Sequence, residues 1–321
     1  MNVRRLIPTT ALAGAVTLGL VALSACSSPD AAGSRSGGKL AVTASFYPMQ
    51  FLAQQIGGDL VSVTTLTKPG VEPHDLELTP RQAARLGEAD VVLYLKGIQP
   101  AVDEAISQSG VKHVVDAATL TTLEKHGTEV GHDHAAGEHG GEEESSQAGG
   151  DPHIWLDPVK YAEVAKGVGA SLEKADPDHA AAYRTNTATL VKKLGGLDTA
   201  FKQGLARTTT KTFITTHAAF GYLAERYGLE QEAISGIDPE AEPSPARVKA
   251  LEAIARKDKV STVFFETLAS DKTAKTLAGD SGLKTDVLDP LEGITDKSKG
   301  ADYIEVMESN LAALRKALGA K

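Results

Sequence analysis

The feature that most constrains the fold is a repeated alternation of short β-prone runs with longer helical patterns. The β-prone runs are rich in Val, Thr and Leu, which is typical of strands. Strands that alternate with helices form βαβ units, and these units build a mainly parallel sheet. The eight runs, four in each half of the chain, are residues 39–45, 61–67, 89–95, 111–117, 211–217, 229–235, 259–266 and 283–289.

One long helical pattern, residues 177–206, separates the two groups of runs. Asp176 is a suitable N-cap and Pro177 a suitable first helical residue. Apolar residues then recur at spacings of three, four or seven, which places them on one face of a helix. We therefore predict an α/β fold with two lobes, each a mainly parallel four-stranded sheet with flanking helices, joined by one long rigid helix. The predicted boundaries are 39–176 for the N-terminal lobe, 177–206 for the linking helix and 207–321 for the C-terminal lobe.

The first 25 residues have the pattern of a secretory signal peptide. Arg4 and Arg5 give a basic start, and a short apolar stretch follows. The stretch ends in Leu-Ser-Ala-Cys, which resembles the bacterial lipobox, where the cysteine becomes the lipidated first residue. We therefore expect an exported protein anchored to the outer face of the cell membrane through lipid on Cys26. Residues 26–38 are expected to form a flexible tether rich in Ser and Gly.

The net charge and the single cysteine limit the possible functions. The formal net charge is −9, which argues against a nucleic-acid partner because such proteins carry basic patches. Cys26 is the only cysteine, so the sequence predicts neither a disulfide framework nor a thiolate metal site. An acidic exported chain instead suits a cation as its ligand.

Three isolated histidines and one glutamate lie beside predicted strands and helices. His74 follows a predicted strand, His217 ends another, and Glu292 follows the last one. Ligands of α/β sheets bind at the carboxyl ends of strands, so these side chains fall where a site is expected. His153 lies just before a predicted helix. A cleft between the lobes would gather all four, and three imidazoles with one carboxylate suit tetrahedral Zn²⁺.

A dense stretch of His, Gly and Glu covers residues 124–150. The stretch has no periodicity, which indicates a solvated mobile loop. Ordering such a loop around a metal costs about 1–2 kcal/mol per residue, so we interpret it as an accessory zinc binder beside the cleft. The alternative is a polar insertion with incidental affinity for metal. The histidines of the stretch are His126, His132, His134 and His139.

Five longer motifs surround or accompany the isolated histidines and Glu292: GVEPHDLELTP (70–80), DPHIWLDP (151–158), THAAFGYL (216–223), VFFETLAS (263–270) and LDPLEG (288–293). Together they resemble the zinc-specific solute-binding proteins of bacterial ABC importers. The resemblance covers residues 39–321 and includes a His-rich loop in the expected place. It implies two α/β lobes joined by one long helix. It also implies zinc as the carried ligand, and an ABC permease and its ATPase subunit as partners.

The resemblance further implies which residues bind the metal. They fall on His74, His153, His217 and Glu292. Manganese-binding members of the family carry an acid where this chain has His217, which favours zinc over manganese or another divalent metal. The fourth ligand stays open among Glu292, Asp289, Glu72 and a water molecule.

Other acidic residues in the motifs have supporting roles in this interpretation. Asp75 and Asp151 would orient His74 and His153 through the second ring nitrogen of each imidazole, as outer carboxylates often do at metal sites. The alternative for Asp151 is that it only caps a turn. Glu266 ends a predicted strand and would either line the cleft or face solvent.

The sequence therefore predicts an extracytoplasmic receptor, and not an enzyme, that captures Zn²⁺ and delivers it to an importer. The protein is expected to be a monomer, and the ATPase to be another chain because this one has no P-loop. The alternatives are a manganese or other divalent-metal receptor, an adhesive surface protein and a zinc hydrolase. The hydrolase has little support because the chain has no H-E-x-x-H motif and four protein ligands would close the site.

Overall fold

Two sheets form the framework of the structure. The computed structural model describes residues 38–130 and 150–321, all within the compact unit Arg35–Lys321. The first sheet contains strands β1 (Leu40–Ala44), β2 (Val61–Thr65), β3 (Val91–Tyr94) and β4 (Val114–Asp116). Its strand order is β2-β1-β3-β4, and every pairing is parallel.

The second sheet is also mainly parallel. It contains strands β5 (Glu129–Val130), β6 (Thr212–Thr215), β7 (Glu230–Ala233), β8 (Thr262–Phe265) and β9 (Lys284–Val287). Its order is β5-β7-β6-β8-β9, with β5 antiparallel to β7 and the other pairings parallel. All eight predicted strands are present, which confirms the predicted two-lobed α/β fold, but the second sheet has five strands instead of the predicted four.

Strand β5 corrects the interpretation of residues 124–150 as a loop without a scaffold. The strand has only two residues, too few to show the alternating pattern that identifies strands in a sequence. Glu129 and Val130 pair with Glu232 and Gln231 of β7, which follows the long helix in the sequence. The beginning of the predicted loop is therefore fixed to the second sheet.

Nine α-helices flank the sheets in residues 38–130 and 150–321: α1 (Tyr47–Gly57), α2 (Pro80–Leu86), α3 (Pro100–Gln108), α4 (Pro158–Ala175), α5 (Ala180–Gly204), α6 (Gly221–Tyr227), α7 (Pro245–Lys257), α8 (Lys272–Ser281) and α9 (Tyr303–Ala317). Proline is the first residue of α2, α3, α4 and α7, a position where its missing N–H breaks no helical hydrogen bond. Thr79 and Gln82 form a capping box at the start of α2. Within the described ranges, no helix is long and apolar enough to cross a bilayer.

Helix α5 is the predicted long helix. It contains 25 residues, which corresponds to about 37 Å at 1.5 Å per residue. A 3-10 turn, Pro177–His179, precedes it, so the α-helix begins slightly later than the sequence pattern predicts. The helix packs against α4, against α1 of the first lobe and against α9 of the second. Its buried apolar residues are Tyr183, Leu190, Leu194, Leu197 and Phe201.

Replacing Leu194 with alanine is expected to lower the free energy of unfolding by about 2–5 kcal/mol, because the buried side chain is lost and a cavity remains. Leu194 has no exposed surface. Urea denaturation measures the change. Lys192→Ala, at an exposed position of the same helix, is the matched control and should stay within about 0.5 kcal/mol. Equal effects of the two substitutions would contradict the described packing of α5.

The two lobes share one apolar core. Trp155, the only tryptophan, is fully buried and packs edge-on against Phe46. Its indole Nε1 donates to the carbonyl oxygen of Pro290 at 2.7 Å, and the hydroxyl of Tyr303 donates to the carbonyl oxygen of Trp155. Trp155 precedes α5 in the sequence, whereas Pro290 and Tyr303 follow it, so these hydrogen bonds join the lobes.

Candidate metal centre

The candidate metal centre consists of three histidines and one glutamate. In the part of the chain that the structure describes, this is the group of His, Cys, Asp or Glu side chains that is spaced to hold a metal ion. Each member offers one ligand atom, and these atoms all lie within 4.8 Å of one another. The members are His74, His153, His217 and Glu292, the same set that the sequence predicts.

The ends of strands bring these residues together. His74 lies between β2 and α2, and His217 lies two residues after β6. Glu292 follows β9, and His153 comes directly before a 3-10 turn, Ile154–Leu156, that leads into α4. Three of the four therefore follow parallel strands, as expected for a site in an α/β fold. Two precede α5 in the sequence and two follow it.

The spacing of the four side chains fits a tetrahedral ion. Oε1 of Glu292 lies 3.4 Å from Nε2 of His74, 3.3 Å from Nε2 of His153 and 3.2 Å from Nε2 of His217. Zinc bonds to imidazole nitrogen and carboxylate oxygen are about 2.0–2.1 Å long, so neighbouring ligand atoms in a regular tetrahedron lie about 3.3–3.4 Å apart. The glutamate oxygen therefore already lies at the ligand–ligand spacing of tetrahedral zinc from each of the three ring nitrogens.

The site is buried and contains polar atoms without partners. His153, His217 and Glu292 are each at most 1% exposed. Nε2 of His153 and Oε2 of Glu292 make no hydrogen bond among the described residues. Because a buried polar atom without a partner is costly, these two atoms favour a bound cation at the centre of the group.

Buried carboxylates orient two of the imidazoles. Oδ1 of Asp151 accepts a hydrogen bond from Nδ1 of His153 at 2.7 Å, and Oε1 of Glu266 accepts one from Nδ1 of His217 at 2.8 Å. A bond at Nδ1 fixes the ring and leaves Nε2 for the metal. Asp151 therefore lies where the sequence places it, and Glu266 contacts His217 instead of facing solvent.

Asp75 does not have the position that the sequence predicts. The backbone N–H of Leu76 donates to the carbonyl oxygen of Pro73, and this turn buries Leu76 and leaves Asp75 exposed. The neighbouring acid in contact with His74 is Glu72, whose Oε1 accepts the backbone N–H of His74 at 3.0 Å.

The two acids considered as alternative fourth ligands have other contacts. Asp289 accepts hydrogen bonds from the backbone N–H of Leu291 and the hydroxyl of Thr267, and so fixes the turn that leads to Glu292. Glu72 lies outside the four-residue group. Burial, followed by the charge of Glu292, raises the pKa of Glu72 to about 9, so without a bound metal this carboxyl group favours its protonated form.

The charges at the site favour protonated imidazoles when no metal is bound. Burial by itself lowers the pKa of His217, but the carboxylates of Glu266 and Glu292 outweigh it and raise that pKa well above its usual value. Burial likewise lowers the pKa of His153, and the charge of Asp151 outweighs it and raises the pKa. Burial would raise the pKa of Glu292, yet His217 and His74 hold it well below its usual range. A metal ion must therefore displace protons.

His126 is held in a different way from the one the sequence predicts. Its Nδ1 lies 2.7 Å from Oδ2 of Asp151, its Nε2 lies 3.1 Å from Oε2 of Glu225, and its ring stands edge-on against Tyr222. The side chain is only 6% exposed. His126 is therefore packed against α6 and is not part of a solvated loop. His132, His134 and His139 lie outside the described residues.

Sequence reasoning missed the contribution of α6 to the site. The hydroxyl of Tyr222 donates to the carbonyl oxygen of Asp151 and accepts the backbone N–H of Glu124. Tyr222 belongs to the motif THAAFGYL, so the motif contained a sign of this role. Glu225 lies outside that motif, and no sequence feature singles it out.

The cavity beside the site is small. Its volume is about 160 Å³, and its lining includes Tyr47, Thr67, Lys68 and Glu292. Sites for organic ligands usually measure about 300–1,000 Å³. The geometry therefore suits an ion better than an organic substrate.

Comparison with known proteins identifies relatives over most of the chain. The family model described as ZnuA, zinc-uptake complex component A, periplasmic, matches residues 42–317. The zinc-binding lipoprotein AdcA of Streptococcus pneumoniae serotype 4 is 38% identical over 284 residues, which cover 87% of this chain and 56% of AdcA. This chain therefore spans just over half the length of that relative.

Two further matches cover nearly the whole of the other protein. The high-affinity zinc uptake system protein ZnuA of Bacillus subtilis (strain 168) is 37% identical over 305 residues, which cover 93% of this chain and 94% of that protein. The crystal structure of the Zn(II)-bound ZnuA-like domain of Streptococcus pneumoniae AdcA has a TM-score of 0.72 and 35% identity, and covers 88% of this chain and 99% of that domain. On the family match and these relatives, the chain belongs to the ZnuA family.

Proposed function

We propose that this protein is an extracytoplasmic zinc receptor that captures Zn²⁺ and supplies it to an ABC importer for zinc uptake. One observation carries the proposal: Oε1 of Glu292 lies 3.2–3.4 Å from Nε2 of His74, His153 and His217, the spacing expected in tetrahedral zinc coordination. The names of the relatives, a zinc-binding lipoprotein and a high-affinity zinc uptake protein, support zinc as the cargo.

The mechanism is chelation by a preformed, buried set of ligands. Three neutral imidazoles and one carboxylate leave a charge of +1 on the zinc centre, and the carboxylates of Asp151 and Glu266 lie behind two of the imidazoles. Four protein ligands fill the tetrahedral shell, whereas a catalytic zinc keeps a position for water. This set of ligands favours binding and transport, which leaves the hydrolase alternative without support.

The ligand set also favours zinc over manganese. Imidazole nitrogens suit zinc, copper and nickel, whereas manganese prefers oxygen ligands and binds most weakly among the divalent metals of the first transition row. Only one of the four proposed ligands, Glu292, supplies oxygen. We therefore infer that manganese is not the physiological cargo.

Competition with a chromophoric chelator tests this proposal. We expect one tight zinc site per chain and a manganese affinity at least about 1,000-fold weaker, since manganese lies at the weak end of the affinity order. A variant that lacks residues 131–149 is the control, because it removes three loop histidines and keeps β5 and His126. Equal affinities for the two metals would contradict a zinc receptor.

We also propose that the receptor is lipid-anchored and works with a permease and its ATPase. His74 and His153 precede α5, whereas His217 and Glu292 follow it, so a permease that displaces one lobe would separate the ligands and release the ion. The proposed lipid on Cys26 lies outside the described residues.

Replacing Cys26 with serine is expected to move the exported protein from the detergent phase to the aqueous phase, because the lipid attachment atom is lost. Phase partitioning of the cell envelope fraction measures this change. Ser27→Ala, at the adjacent position, is the control and should stay in the detergent phase. A Cys26→Ser protein that stays there as well would contradict the anchor.

A further inference from the structure

A chain of hydrogen bonds connects α6 to a proposed zinc ligand. Nε2 of His126 lies 3.1 Å from Glu225, and Nδ1 of His126 lies 2.7 Å from Oδ2 of Asp151. The other oxygen of Asp151, Oδ1, accepts the Nδ1 hydrogen of His153 at 2.7 Å and the backbone N–H of His153 at 2.9 Å. One fully buried carboxylate is therefore shared between His126 and the ligand His153.

The fold is built to receive the His126 ring. A Cβ atom added to Gly221 would lie 2.5 Å from Cγ of His126, closer than real side chains approach, so the ring occupies space that only glycine leaves free. Tyr222 covers the ring edge-on, with ring centroids 4.5 Å apart. Tyr222 also donates to the carbonyl oxygen of Asp151. The first two residues of α6 thus hold His126 and Asp151 together.

We propose that His126 is a positioning residue for zinc: it holds Asp151 in the orientation that directs Nε2 of His153 toward the metal. This inference rests on the proposed function. His126 does not touch the ion. It acts through Asp151. It thereby couples the position of α6, in the second lobe, to the proposed ligand His153, which precedes the long helix in the sequence.

The charge on Asp151 explains why His126 matters. A buried carboxylate oxygen needs a hydrogen-bond donor, and among the described contacts His126 is the donor to Oδ2. Without it the carboxylate would rotate toward another donor or admit water. Either change weakens the bond from Oδ1 to the Nδ1 hydrogen of His153, and the ring then holds zinc less firmly.

The test is the rate at which zinc leaves the protein in excess chelator, followed by stopped-flow. His126→Leu keeps the bulk of the ring but removes both nitrogens, and should speed release about tenfold, the low end of the effect of losing an outer partner of a metal ligand. His179→Leu is the matched control. Nδ1 of His179 lies at the same 2.7 Å from a carboxylate oxygen, Oδ2 of Asp176, which also accepts the hydroxyl of Tyr183. The rate of zinc release should not change in this variant.

A double-mutant cycle separates positioning from a general structural role. If His126 acts through Asp151, then His126→Leu should change release less than about twofold in a protein that already carries Asp151→Asn, because coupled residues lose their effect together. An unchanged rate of zinc release in the single variant His126→Leu overturns the proposal. An equal acceleration in both backgrounds also overturns it.

A second variant keeps the test decisive if His126→Leu does not fold. Gly221→Ala displaces the His126 ring without changing its chemistry, and it should also speed zinc release. An unchanged rate in that variant overturns the inference. Failure of the proposed function gives a different result. The wild-type chain, with His126 intact, would then show no tight zinc site in the chelator competition.

Discussion

Replacing His217 with alanine is expected to weaken zinc binding by more than about 100-fold. Loss of an outer partner of a ligand costs about 10–100-fold, and this substitution removes a ligand itself. It also leaves the buried carboxylates of Glu266 and Glu292 without the imidazole between them. Competition with a chromophoric chelator measures the affinity, and a thermal unfolding scan of the metal-free variant checks that it is folded.

The matched comparison uses the variant without residues 131–149. If the buried group is the receptor site, that deletion keeps one tight zinc site and His217→Ala removes it. If tight binding leaves with the deleted residues and His217→Ala changes nothing, then the His-rich stretch is the site and the four-ligand assignment is wrong.

Zinc is expected to stabilise the protein strongly at pH 7.5 and much less at pH 5.5. Free zinc at 1,000 times the dissociation constant adds about 4 kcal/mol to the free energy of unfolding. In a chain of this size, each kcal/mol raises the melting temperature by about 1.5–2 °C. The expected increase at pH 7.5 is therefore about 6–8 °C, which scanning calorimetry with and without a chelator measures.

The pH dependence follows from the directions of the pKa shifts. The raised pKa values of His217 and His153 mean that the metal-free fold is stabilised by protonated imidazoles below the unfolded value of about 6.5. That contribution is lost as the pH rises through the folded pKa values. The lowered pKa of Glu292 contributes stability above its unfolded value of about 4.3, and is lost only at lower pH.

Zinc binding has the opposite dependence. The metal needs unprotonated imidazoles, so each displaced proton lowers the zinc affinity about tenfold for every unit by which the pH falls below the pKa of that histidine. Both effects make the zinc-induced rise in melting temperature larger at high pH. The control is His179→Leu, outside the site. Its zinc-induced rise in melting temperature should depend on pH as that of the wild-type protein does. The same zinc affinity at pH 8 and pH 5.5 would contradict protonation of the ligands.

The fold could be predicted from the sequence because its elements have strong local patterns. The β-prone runs are bounded by turn residues, and the long helix has a continuous apolar face from Tyr183 to Phe201. Strand β5 could not be predicted, because two residues show no periodicity and their pairing depends on β7, far along the chain. Tertiary contact, and not local preference, makes Glu129–Val130 a strand.

The four residues of the candidate metal centre could be predicted because strand ends and motifs place them. Sequence spacing gives the position of a residue along a strand or loop, but not the direction of its side chain in an irregular turn. This explains why Asp75 is exposed while Glu72 contacts His74. The position of His126 depends on Gly221 and Glu225, nearly 100 residues later, and no local pattern contains that information.

The pairing of β5 with β7 has a consequence for the order in which the molecule assembles. Glu129 must wait for Glu232, its partner in the register, and His126 must wait for α6, so residues 126–130 have no place to dock until the second half of the chain is available. A chain arrested after its first lobe would carry His74 and His153 but neither His217 nor Glu292. Completion of the candidate metal centre is therefore a late step in assembly, because its four side chains meet only after both halves have folded and joined.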